Sequence, residues 1–274
     1  MRRYIILVVL VLLQALLYAQ YDGSYAGGRQ AAMGGAAVAD HDVFSVLNNP
    51  AAMGQIERMA AGVFFESRYA MSEFSTSGAA FFLPAGSGGF GLAFSYYGFE
   101  IYNEKRFVLA YGRQLFPGLR GGLSFDYLHT HLDDESGYLT GSKGVITFQG
   151  GLQADLSDRV SLGASVFNPL NVELSDYENL AIATFIRFGL AYKPDESFLL
   201  LAEAEQNLKY AMRLKAGVEY EISDKVLARG GIKTNPAEYS FGVGLLFNGL
   251  QFDISAAYHL VLGTSPHGSL MYDF

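Results

Sequence analysis

Four groups of residues in this 274-residue chain have side chains and spacings that could do chemistry. His267 and Ser269 stand two apart, so on a strand they point the same way and could set a base beside a nucleophile. For a lipid-cleaving reaction such a pair must face lipid. Leu270, Tyr272 and Phe274 form the apolar set of that segment, which puts His267 and Ser269 on the opposite, inward face. His129 and His131 also share a strand face, with Asp133, Asp134 and Glu135 just beyond. That set could take a divalent ion, although a solvated acidic loop above a strand is the commoner case. Asp40-His41-Asp42 offers the same pair of readings. The chain has no cysteine, which excludes thiol nucleophiles, cysteine–zinc sites, disulfides and a lipidated cysteine. Neither a P-loop nor a G-x-S-x-G elbow occurs. Catalysis, a metal and a cofactor are therefore not expected.

The fourth group is ionic. Arg187, Glu203, Glu205, Arg213, Lys215, Glu219, Arg229 and Lys233 lie on consecutive segments, opposite the apolar residues, with both signs present. Inside a barrel such charges either pair across strands in a filled interior or line a wet pore. Neither arrangement favours an oily conduit.

The elements that must position these residues show a period of two. In 210–222, Tyr210, Met212, Leu214, Ala216, Val218, Tyr220 and Ile222 share one face, against Arg213, Lys215, Gly217, Glu219 and Glu221. A helix would scatter those charges around its circumference. Segments 143–156 and 250–262 repeat the rhythm, and runs of about ten residues suffice to cross a tilted bilayer. Tight turns near 83–89, 115–119, 156–160, 193–197, 222–226 and 247–251 alternate with looser joints, as in outer-membrane barrels. The count predicts an all-β, transmembrane antiparallel outer-membrane β-barrel of about fourteen strands over 58–274. A soluble sandwich is the weaker alternative, since its outer faces should be more polar.

Composition agrees with a membrane wall: 32 Gly, 18 Tyr and 21 Phe accompany only 17% charged residues. Residues 1–19 read as a signal peptide, with Arg2 and Arg3 before an apolar run and Ala19 at the cleavage site. The alternative is a single membrane helix anchoring a soluble domain. Cleavage removes two cations and no acid, taking the formal charge from -8 to -10, which argues against nucleic acid as a partner. The expected setting is the outer membrane of a Gram-negative bacterium, with outer-membrane lipid and the barrel-assembly machinery as partners. Tyr272 and the terminal Phe274 resemble the aromatic assembly signal of such barrels. Pairing the last strand with the first would leave no free edge there.

Residues 20–57 do not alternate and are rich in Ala and Gly. They read as a hatch or plug packed in the lumen, or as a mobile linker. Gly28-Arg29-x-x-x-Met33-Gly34-Gly35-Ala36 followed by Asn49-Pro50-Ala51 resembles the N-terminus of PorV/PorQ-type proteins. That family comprises barrels of the type IX secretion system, related to the long-chain fatty-acid transporter fold. The resemblance implies a hatch in a fourteen-stranded barrel and a non-catalytic accessory role in protein secretion, with secretion-system proteins as partners. It also implies an alternative, a fatty-acid-transporter-like channel for small hydrophobic molecules. A purely structural barrel is a third reading.

Overall fold

The computed structural model describes residues 25–133, 141–172 and 182–274. The proposed signal peptide lies outside these residues, as do Asp134 and Glu135. Fourteen antiparallel strands close into one barrel. The first seven are β1 (Ala60–Ser67), β2 (Ser75–Ala85), β3 (Gly88–Gly98), β4 (Tyr102–Phe116), β5 (Leu119–Leu132), β6 (Gly141–Ser157) and β7 (Val160–Phe167). The rest are β8 (Phe185–Tyr192), β9 (Phe198–Asn207), β10 (Arg213–Ser223), β11 (Val226–Lys233), β12 (Glu238–Phe247), β13 (Leu250–His259) and β14 (Gly263–Asp273). Each strand pairs with its sequence neighbours. β1 and β14 complete the ring, with Ala60 opposite Asp273 and Glu66 opposite His267.

The period-two pattern fixes which wall each side chain joins. Ile146, Phe188, Phe241 and Ile254 are each about 60% exposed or more on the outer wall, whereas Thr147, Arg187, Ser240 and Asp253 beside them are buried inside. A one-residue slip would exchange the two sets, so the pairing register is strongly specified. An outward surface this apolar suits lipid. No described helix is long and apolar enough to cross a membrane. Gly86-x-Gly88-x-x-Gly91 has the glycine spacing of a dinucleotide-binding turn, yet here it joins two antiparallel strands and opens no helix.

The short turns gather at one end of the barrel, which in bacterial barrels is the periplasmic end. The start of β1 and the end of β14 lie there too. The Phe274 N–H donates to the Met59 carbonyl at 2.8 Å, and the Phe274 ring meets Tyr272 edge-on at 4.8 Å. The terminal aromatic thus completes the seam that closes the barrel.

Residues 25–57 enter the lumen. They form a short helix α1 (Gly28–Ala32), a single turn α2 (Ser45–Asn48) and a 3-10 turn over Pro50–Gln55. Almost every residue from Ala26 to Met53 is buried.

Candidate functional site

The site is the lumen and the N-terminal segment that fills it. The segment runs beside inward glycines of successive strands. A Cβ at Gly217 would come within 2.6 Å of Met33 Cβ, and one at Gly231 would overlap the Met33–Gly34 backbone. Pro50 lies against Gly112 and Gly122, Asn49 against Gly151, and Val38 against Gly163. These positions clear a track that side chains would fill. Gly244 makes room for the Arg229 guanidinium rather than for the segment. Gly34 and Gly35 have φ of 69° and 76°, the left-handed region where glycine is strain-free. A Cβ on Gly34 would also stand 2.6 Å from the Ile232 carbonyl oxygen, and one on Gly35 would strike the Tyr25 ring.

The Asn-Pro-Ala triplet has a local mechanism. Asn49 is fully buried. Its Oδ1 accepts from the Ala51 N–H at 3.2 Å and its Nδ2 donates to the Val38 carbonyl at 2.6 Å. Asn49 therefore caps the turn that Pro50 opens while tying it to the preceding limb of the segment. Asn48 makes a two-way bond to the Ala26 backbone.

Wall side chains grip the segment along one limb. Ser269 Oγ accepts from the Gly28 N–H at 3.0 Å, and Ser255 Oγ donates to the Gly28 carbonyl at 2.8 Å. Ser240 Oγ accepts from Gly34 N–H and lies 2.9 Å from the Ala32 carbonyl. One Glu203 carboxylate oxygen accepts from both Ala37 and Val38 N–H groups, at 2.8 and 2.9 Å. Gln153 Nε2 donates to the Ala39 carbonyl and Gln149 Nε2 to that of Asn48. Arg29 bonds Asp40 within the segment and takes Glu219 in a fork, at 2.9 and 3.1 Å.

The eight inward charges all enter ion pairs. Glu205 meets Arg187 at 2.7 Å, Lys215 at 2.9 Å and Arg213 at 3.4 Å, while Lys215 also meets Glu203 at 2.9 Å. Arg229 bridges Glu219 and Asp253, both at 2.5 Å, and Lys233 pairs with Glu238 at 3.0 Å. Sequence reasoning missed Asp253 and Glu238, and also the buried pairs Arg106–Asp126 and Arg120–Asp155. The missed signal was alternation: Ser124 and Asp126 interleave with Leu123, Phe125 and Tyr127 along β5. Between the ion pairs and Tyr25 the described lumen keeps a polar pocket of about 40 Å³, lined by Arg68, Lys233 and His267 among others.

The other flank of the lumen is apolar, although most large apolar side chains of the strands face outward. Ala60, Phe64, Ala80, Phe82, Ala93, Val108, Ala110 and Met271 point inward from β14 and β1–β4. They pack on Val43, Phe44, Val46, Leu47 and Met53 of the segment. Phe44 meets Phe64 edge-on at 5.5 Å, and burying its ring contributes about 1.5–3 kcal/mol. Outside the same stretch of wall, Ala61 and Ala79 help to line an apolar groove of about 850 Å³.

His267 and Ser269 both face inward but form no base–nucleophile pair. Ser269 is engaged with Gly28 and Asp253, and His267 Nε2 is buried without a hydrogen-bond partner among the described residues. His131 Nδ1 lies 2.8 Å from Ser142 Oγ at an exposed strand end. Asp40 turns to Arg29. Asp42 accepts from Gln30 Nε2 and the Phe44 N–H, so its carboxylate braces the turn that presents Phe44. Burial pushes Asp42 up to about 6, while burial lowers His41 below the ordinary histidine value.

No protein-family model matches the chain, and no curated protein does. Solved structures do. The toluene transporter TbuX of Ralstonia pickettii is 14% identical, with a TM-score of 0.69 covering 93% of this chain and 100% of that one. The P. putida toluene transporter TodX is 12% identical, with a TM-score of 0.64 covering 92% and 99%. A Pseudomonas aeruginosa FadL homologue is 12% identical, with a TM-score of 0.67 covering 91% and 98%. At such identities the likeness is one of fold: this chain shares the barrel architecture of those structures over nearly its whole length.

Proposed function

We propose that this protein is an outer-membrane channel for small apolar molecules, closed at rest by residues 25–57. The observation that carries the proposal is the two-sided lumen. Charge inside a barrel opposes an apolar solute because accepting it would desolvate ions. Here the inward charges already neutralise one another in pairs, mostly on β8–β13, and the flank formed by β14 and β1–β4 offers apolar side chains instead. The fold shared with a toluene transporter supports the same reading. The test is uptake of a neutral aromatic into cells with and without the protein. Uptake that depends on the protein supports the channel, and equal uptake overturns it.

The accessory role in type IX secretion implied by the N-terminal resemblance is a second proposal. The filled lumen favours it, because a sealed barrel acts through contacts rather than passage. Purification from native membranes separates the two: a co-purifying secretion channel, with no apolar uptake, supports the accessory role.

A further inference from the structure

The lumen segment is held by two kinds of force on its two sides. Residues 28–39 are hydrogen-bonded to side chains from β6, β9, β10, β12, β13 and β14, including the carboxylates of Glu203 and Glu219. Among the described residues, 42–47 and 50–56 make no hydrogen bond to a strand. They are held to the wall by apolar packing, with Phe44 at its centre. The Phe44 ring occupies the space over Gly62, where a Cβ would stand 2.9 Å from its Cζ, and it also lies against Gly27.

The two sides respond differently to an apolar solute. Lifting residues 28–39 would strip Glu203, Glu219 and Arg29 of partners inside a poorly hydrated lumen, and no apolar solute could replace those bonds. Lifting residues 42–47 exchanges one set of apolar contacts for another, which the solute itself supplies. The hole left by a displaced phenyl ring is apolar, and voids of that kind take up benzene-sized molecules.

We infer that apolar solutes pass between residues 42–47 and the inner faces of β14 and β1–β4 while residues 28–39 stay seated, and that Phe44 sets the size admitted. This rests on the channel reading above. The experiment uses the full-length protein, whose lack of cysteine allows clean cross-links. A Cβ at Gly62 would lie 2.8 Å from Val43 Cγ1, and one at Gly189 would lie 2.5 Å from Val38 Cγ1, so both pairs are within disulfide reach. Toluene is the probe, in vesicles with a lipopolysaccharide outer leaflet.

Oxidising Val43→Cys/Gly62→Cys should abolish toluene entry, and reduction should restore it. Oxidising Val38→Cys/Gly189→Cys should leave entry unchanged. Phe44→Ala should extend entry to a bicyclic aromatic that the unsubstituted protein excludes. Loss of entry on locking Val38 to Gly189 but not Val43 to Gly62 overturns the inference, as does an unchanged size limit in Phe44→Ala with both proteins folded. Absence of protein-dependent entry in the unsubstituted protein overturns the channel reading itself and the inference with it.

Discussion

Replacing Arg29 with Met should unseat the lumen segment and leave the barrel intact. Arg29 is 9% exposed and Asp40 is 5% exposed. The guanidinium bonds Asp40 and forks onto both oxygens of Glu219. Removing one partner from a buried pair costs about 3–5 kcal/mol, because the other charge is left uncompensated. Glu219 retains Arg229 at 2.5 Å, a cation it shares with Asp253, so the loss falls hardest on Asp40. Unseating returns Asp40 to water, and the whole penalty therefore favours the unseated state. At about 1.4 kcal/mol per tenfold, the unseated fraction should rise by a factor on the order of 100 or more. Limited proteolysis within residues 25–57 reads that fraction when opening is fast relative to cleavage. Cleavage should accelerate by about that factor, while the barrel keeps its resistance to detergent unfolding. Adding Asp40→Asn should recover much of the loss, since a neutral amide is cheaper to bury. Wild-type cleavage rates in Arg29→Met, or no recovery with Asp40→Asn, would refute the electrostatic argument.

Three further outcomes follow from the same geometry. Asp42 titrates near 6 in the seated segment against an ordinary 3.8. The seated state therefore binds more protons between those values, and seating should weaken as pH rises through about 4 to 6. His41, lowered by burial, acts with the opposite sign, weakening seating as pH falls below 6.5. Proteolysis across pH should show the Asp42 trend disappear in Asp42→Asn, leaving the His41 trend alone. Gly122→Leu should prevent seating of the Pro50 turn, because even a Cβ overlaps Pro50; overpacking costs about 1–3 kcal/mol, and protease sensitivity of residues 25–57 checks it. Deleting Phe274 should slow membrane assembly by removing the Phe274–Met59 hydrogen bond and the ring on Tyr272; the folded fraction in cell envelopes is the readout.

The barrel was legible because lipid and lumen impose opposite chemistry on alternate residues, as in β10, where Leu214 and Val218 face out and Lys215 and Glu219 face in. Legibility failed where both faces are apolar. β1 reads AAGVFFES and β3 reads GGFGLAFSYYG, so polarity does not separate their faces; in β3 residue size does, with Gly91 and Ala93 inward and Phe90, Leu92 and Phe94 outward, but in β1 Phe64 faces in and Phe65 out. The apolar flank of the lumen was hidden for that reason. The capping role of Asn49 before Pro50 could be read locally, because both partners lie within two residues. The grips from Ser240, Ser255 and Ser269 could not, since they span more than 200 residues and depend on the closed register of the barrel.

The most direct test of the channel is paired uptake of a neutral aromatic and its carboxylated counterpart, toluene and benzoate. It should use vesicles carrying a lipopolysaccharide outer leaflet, because a plain phospholipid bilayer already passes apolar solutes. The two-sided lumen predicts protein-dependent entry of toluene and none of benzoate, since the ionic flank is already paired with itself. Equal toluene entry with and without the protein, or entry of benzoate in preference to toluene, would contradict the account.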